Sequence, residues 1–226
     1  MGDAVITALL LSLKVAGLAT LFNIVLGTAT GFALARLRFV GRNVLDTLLT
    51  LPMVMPPTVM GYYLLVLLGR NGPLGGWLQN TFGIHLIFTW QGAVIAAMVV
   101  TFPLVFKPAR AAFEGVNPQL EQAARVAGLN ERAVFFRVSL PLAWRGILAG
   151  VLLAFARALG EFGATLMIAG SIPGQTQTLS IAVYEAVQAG EDSTANWLVL
   201  LISLVCVVIL LAVGRLARAR DGRERI

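Results

Sequence analysis

The chain has 226 residues, of which 58% are hydrophobic and only 12% charged, and it carries a formal net charge of +6. That composition lies outside the range of soluble globular domains and makes a lipid bilayer the natural solvent. One cysteine, Cys206, and one histidine, His85, allow no intrachain disulfide and no cysteine–histidine metal cluster.

Crossing a bilayer takes roughly 20 apolar residues as helix, and five stretches satisfy this: about 5–35, 45–69, 88–106, 142–169 and 195–214. Their continuous Leu, Val and Ala runs lack the ten-residue alternation of membrane β-barrels. The expected fold class is therefore all-α integral membrane with about five transmembrane helices, in a single domain over 1–226. The first run is too long for a signal peptide and has Asp3 where a basic leader belongs, so it is expected to stay in the mature protein. Within it, "GTATG" sets Gly27 and Gly31 four apart, as "GILAG" later sets Gly146 and Gly150, a spacing that lets helix backbones approach closely.

The second run, "TLPMVMPPTVMGYYLL", contains Pro52, Pro56 and Pro57. Each removes a backbone donor, so this helix is expected to be kinked or partly unwound. Irregular backbone at membrane depth needs protein or a watery cavity around it, which predicts a position inside the bundle or beside a pathway. His85 falls in the connection that follows and reads as a polar loop residue.

Between the third and fourth runs lies a polar insert, "QLEQAARVAGLNERAVFFRVSLPLAW", over 119–144. Asn117 followed by Pro118 marks a helix start. Glu121 then stands near the positive end of the helix dipole, and Gly128 can end the helix in a left-handed conformation. Asn130 can cap a second helix, which Pro141 is expected to interrupt. The insert thus reads as helix, glycine turn, helix, with Ala123, Ala124 and Ala127 giving the first helix a face of little bulk. An amphipathic hairpin lying on the headgroups is the alternative.

In the fourth run, "FARALGEFG" buries Arg157 and Glu161, which share a helix face. Charges at that depth face protein or water. They are either a structural pair or a cation for an anion pathway, with Gly160, Phe162 and Gly163 beside them. The connection 170–194 carries only the acids Glu185, Glu191 and Asp192.

Positive charge sets orientation. Arg36, Arg38 and Arg42, then Lys107, Arg110, Arg125, Arg132, Arg137 and Arg145, then Arg215, Arg218, Arg220, Arg223 and Arg225 all fall on one side of five spans, with Arg70 alone opposite. Basic loops stay cytoplasmic, so the N-terminus is expected outside and the C-terminus in the cytoplasm. Basic charge that alternates with spans reflects topology rather than nucleic-acid binding. A Walker loop needs Gly-Lys-Ser/Thr, and neither Lys14 nor Lys107 follows a glycine, so energy from ATP has to come from another subunit. A secondary transporter would show more intramembrane titratable groups or a repeat architecture. An intramembrane enzyme would show a constellation of reactive side chains.

The insert resembles the "EAA" loop of binding-protein-dependent ABC importer permeases, in which the loop forms a coupling helix that docks on a cytosolic ATPase. The aligned residues are Ala123, Ala124, Gly128, Val138, Leu140 and Pro141, and the loop extends over about 111–141. The family acid stands six residues before the glycine, where this chain has Gln122; Glu121 is one position earlier, a rotation of about 100° on a helix. "LPMVMPPTVMGYYLLVLLG", "LEQAARVAG" and "LAFARALGEFGATLMIAGSIPGQTQTL" together resemble the permeases of molybdate ABC transporters, with sulfate and thiosulfate permeases as near neighbours.

That resemblance implies a type I importer permease fold in a bacterial or archaeal inner membrane and a homodimeric path for molybdate or tungstate. Its implied partners are a cytosolic ABC ATPase and an extracytoplasmic molybdate-binding protein, with no metal or cofactor. It implies ATPase coupling by Glu121, Gln122, Ala123, Ala124, Gly128, Val138, Leu140 and Pro141. A path or gate is expected at Pro56, Pro57, Arg157, Gly160, Glu161, Phe162 and Gly163, and binding-protein contact at Gln177 and Glu185.

Overall fold

The computed structural model describes the backbone of residues 2–221 and the side-chain surroundings of residues 4–211. The elements are α1 (Gly2–Arg36), α2 (Arg42–Val54), α3 (Pro57–Leu68), α4 (Pro73–Phe82), α5 (Trp90–Glu114) and α6 (Pro118–Val126). There follow α7 (Glu131–Val134), a π-helical turn (Phe135–Ser139), α8 (Leu140–Leu159), α9 (Gly163–Ala169), α10 (Leu179–Gln188) and α11 (Asp192–Asp221). Among the described residues four helical runs are long and apolar enough to cross a membrane, and α2 with α3 makes a fifth if that bent pair counts as one span. Side chains of the tail arginines Arg215, Arg218 and Arg220, and all of Arg223 and Arg225, lie outside the described residues.

α5 forms the centre. Of its membrane-crossing window 61% is buried, against 11% for α11, which lies at the periphery. α1 and α8 pack on α5 through the two glycine pairs. A Cβ on Gly31 would stand 2.9 Å from the Cβ of Ala109 and 2.9 Å from the Arg110 nitrogen; one on Gly150 would stand 2.6 Å from the Leu104 carbonyl oxygen. That carbonyl is the one that Pro108, lacking an N–H, leaves without its helical partner. Register between α1 and α5 comes from Asn23, fully buried, whose Nδ2 donates to the Met98 carbonyl and to Thr101 Oγ1, each at 3.0 Å. At the arginine-bearing end of the bundle, Phe32, Phe113 and Phe135 stack edge to face or tilted, joining α1, α5 and the π-turn.

The second span is unwound at Met55–Pro56, in keeping with its prolines, and α2 and α3 diverge there by 113°. Three expectations require correction. α2 does not lie inside the bundle: it buries no residue, whereas α3 inserts Met60, Gly61, Leu64 and Leu68. α2 is held from outside by ions, Asp46 pairing with Lys107 and Arg110 of α5, each at 2.5 Å. The fourth span runs from Glu131 to Leu159, not over 142–169. Pro141 does not interrupt it, because the π-turn before it is wide enough for the Leu140 N–H to reach back five residues to the Phe135 carbonyl, which relieves the crowding a proline ring imposes. The break comes instead at Gly160–Phe162, after which α9 starts afresh.

Candidate functional site

The insert folds as a hairpin with a cap at each expected position. Asn117 Oδ1 accepts from the Gln119 N–H at 2.9 Å, and Asn130 Oδ1 accepts from the Ala133 N–H at 2.9 Å. Gly128, at φ 87°, ends α6: its N–H bonds the Arg125 carbonyl while the Leu129 N–H bonds that of Ala124, the double bond pattern of a left-handed C-cap. Arg125 reaches over the turn to Glu131 at 2.7 Å, a bond that holds its guanidinium above its ordinary pKa.

The two faces of α6 differ sharply. Glu121 and Ala124 are buried, whereas Gln122, Ala123, Arg125 and Val126 are exposed, Val126 to 90%. Glu121 Oε1 accepts from Arg36 Nη2 at 2.5 Å and from the Ser139 hydroxyl at 2.7 Å. In the sequence Arg36 stands out only as a topology charge and Ser139 not at all, since no local pattern links them to a residue 85 or 18 positions away. Val138, Leu140 and Pro141 stand on the next helix rather than beside Gln122. Leu140 packs with Phe32, Phe135 and the buried Phe113 and Ile147 under the hairpin.

The second site lies between the two helix breaks. Pro57, Thr58, Arg157, Gly160, Glu161, Phe162 and Gly163 line an open cleft of about 350 Å³, with Pro56 just outside it as the N-cap of α3. Gly163 lets the backbones meet, since a Cβ there would stand 3.1 Å from that of Pro57. Arg157 closes the last turn of α8 and its Nη1 lies 2.8 Å from Glu161 Oε2. Glu161 is 2% exposed, and its Oε1 accepts from the Ala164 N–H at 2.9 Å. It therefore satisfies a free amide at the start of α9 as well as facing a guanidinium. At the far side Phe162 meets the Tyr184 ring at 4.7 Å, and the Ser180 hydroxyl donates to the Leu159 carbonyl at 3.1 Å.

Gln177 and Glu185 come together at the end of the bundle away from the hairpin, where Gln177 Nε2 donates to the Glu185 carboxylate. The segment is not a loose loop. The Leu179 N–H bonds Ser12 Oγ of α1 at 2.8 Å, and α10 packs its Leu179 and Ala186 on Ala8 of α1 and Ala195 and Leu198 of α11.

A central long helix, two helix breaks that meet at the cleft and a capped helical hairpin at the basic end make up a fold that chains of ABC transporters share. The chain aligns over 97% of its length, and 97% of the other, with a chain of the MetNI methionine ABC transporter in inward-facing conformations, at a TM-score of 0.74 and 17% identity. It aligns over 95% of its length, and 78% of the other, with a bacterial alginate ABC transporter solved with its alginate pentasaccharide-bound periplasmic protein, at a TM-score of 0.77 and 18% identity.

Residues 23–226 match the model of the family described as binding-protein-dependent transport system inner membrane component, and the chain belongs to that family. It is thus a multi-pass membrane protein. It is 46% identical over 220 residues to the molybdenum transport system permease protein ModB of Escherichia coli, covering 96% of each chain. It is 44% identical over 205 residues to the putative molybdenum transport system permease protein YvgM of Bacillus subtilis, covering 90% of this chain and 88% of that one. The sulfate transport system permease protein CysW of Synechococcus elongatus is 36% identical over 217 residues, covering 96% of this chain and 75% of the other.

Proposed function

We propose that this chain is the transmembrane subunit of an ATP-driven importer that passes molybdate, and tungstate with it, across the cell membrane. Two copies form the path, two copies of a cytosolic ATPase supply the energy, and one extracytoplasmic binding protein delivers the anion. What supports the anion assignment is that molybdenum permeases match at 46%, 44% and 42% identity, above the sulfate permeases at 34–37%, a range that also holds one molybdenum permease at 35%. Positive-inside topology puts the hairpin in the cytoplasm and the Gln177–Glu185 segment outside.

In this reading α6 meets the ATPase through its exposed face of Gln122, Ala123, Arg125 and Val126, with Ala124 turned inward instead, and closure of the ATPase dimer moves the spans as rigid bodies, giving alternating access. The cleft at the two breaks borders the path. Arg157 is balanced by Glu161, so a passing dianion meets a shaped, weakly polar gate rather than a bare cation that would hold it.

The test is uptake into vesicles with the cognate binding protein outside and ATP inside. Labelled molybdate should accumulate only with both present, and unlabelled tungstate should compete far better than sulfate. Better competition by sulfate would reassign the anion; accumulation without ATP would reject the importer.

A further inference from the structure

We infer that Glu121 is a positioning residue, an internal strut that fixes the coupling helix to two spans, and that it does not contact the ATPase. The inference rests on the importer reading above, in which α6 is the coupling helix. Glu121 is 4% exposed and turned away from the face that Gln122, Ala123 and Val126 present. A single oxygen, Oε1, takes donors from two different spans: Arg36, the last residue of α1, at 2.5 Å, and Ser139, 1% exposed at the end of the π-turn, at 2.7 Å.

Were Glu121 to swing out to a partner, the Arg36 guanidinium, its side chain 24% exposed, would lose its counter-ion and Ser139 its acceptor. Stripping one member from a largely buried pair is among the costlier changes a protein can suffer. The acidic residue one position before the family's usual place is therefore turned about 100° around the helix, from the partner face to the body face. Its mechanical consequence follows from what the partners belong to. Ser139 stands just before α8, which carries Arg157 of the cleft 18 residues, or roughly 27 Å, further along the helix. A push on α6 reaches the gate through that helix only if α6 cannot slide over it, and the Glu121 bonds oppose that sliding.

The experiment uses full-length permease in lipid with its ATPase and binding protein, with molybdate as the probe, and compares Glu121→Gln, Arg36→Gln, Ser139→Ala and the double variant Arg36→Gln/Glu121→Gln. Glu121→Gln should lower molybdate carried per ATP hydrolysed at least fivefold while changing the permease's affinity for the ATPase less than threefold. Arg36→Gln should reproduce it, Ser139→Ala should give a smaller loss, and the double variant should be no worse than the poorer single. A tenfold loss of ATPase affinity in Glu121→Gln that Arg36→Gln does not share would overturn the strut, as would losses that multiply in the double variant. A second readout is independent of the importer reading: in the permease alone, amide exchange over 119–127 should quicken in Glu121→Gln and Arg36→Gln alike. Unchanged exchange refutes the inference even if transport falls, whereas a wild-type protein with no ATP-driven uptake but quickened exchange in both variants refutes only the importer.

Discussion

Gly128 shows how a residue can matter through its backbone conformation alone. A Cβ there would meet no atom within 4 Å, so steric room is ample; what a side chain would pay is the positive φ of 87°. For a β-branched residue that conformation costs on the order of 1–3 kcal/mol. Gly128→Val should insert normally yet lose the ATPase on copurification, whereas Gly128→Asn, tolerant of the left-handed region, should keep most of it. Normal copurification and transport by the valine variant would separate α6 from coupling. Glu161 combines two roles that substitutions can divide. Glu161→Gln keeps an acceptor for the Ala164 N–H and loses only the charge; Glu161→Ala loses both, and the missing cap should cost about 1 kcal/mol more, read as a lower Tm in detergent. The neutral pair Arg157→Gln/Glu161→Gln should still transport, since the pair is proposed to shape the path; abolished transport in a well-folded dimer would mean that a cation is required at Arg157.

At the scale of elements the glycines divide into those that sit in contacts and those that do not. Gly150→Ala would drive a methyl to within 2.6 Å of a backbone oxygen and should destabilise by about 1–3 kcal/mol. Gly17→Ala, with nothing within 4 Å in the same kind of helix, should be neutral or stabilising by up to about 1 kcal/mol. Thermal unfolding of the two variants side by side checks the contrast; equal Tm values would reject the packing account. The same distinction marks what could be read from the chain in advance. Asn117, Pro118, Gly128 and Asn130 act on their own neighbours, so the hairpin and both caps were legible. The position of α2 was not, because in a bilayer an apolar residue facing lipid looks the same as one facing protein. Pro141 misled because its clash was relieved by a widened turn just before it, a compensation with no residue signature of its own. Of the residues that line the cleft, Pro57, Arg157, Gly160, Glu161, Phe162 and Gly163 are grouped by the sequence and only Thr58 is not; what no local pattern gives is the contact itself, because Pro57 and Gly163 are neighbours only through the packing of α3 on α9.

At the scale of the whole molecule α1 ties the two ends together. Ser12 holds the start of α10 and Arg36 holds α6, 24 residues apart on one unbroken helix, which is roughly 36 Å. That is enough to place the two segments on opposite sides of a hydrocarbon core about 30 Å thick. Arginine is concentrated around α6 and acid around α10, so the proposed orientation follows from charge retention, and each end should meet a different partner. A photoreactive residue at Val126, 90% exposed on α6, should crosslink the ATPase and never the binding protein. One at Gln188, a turn beyond Glu185 and clear of the Gln177–Glu185 bond, should do the reverse in the presence of loaded binding protein. Exchange of the two adduct patterns would invert the topology. Binding-protein adducts absent at Gln188 and at neighbouring exposed positions of 185–192 would move the docking surface elsewhere on that side, leaving the hairpin assignment to stand on its own adducts.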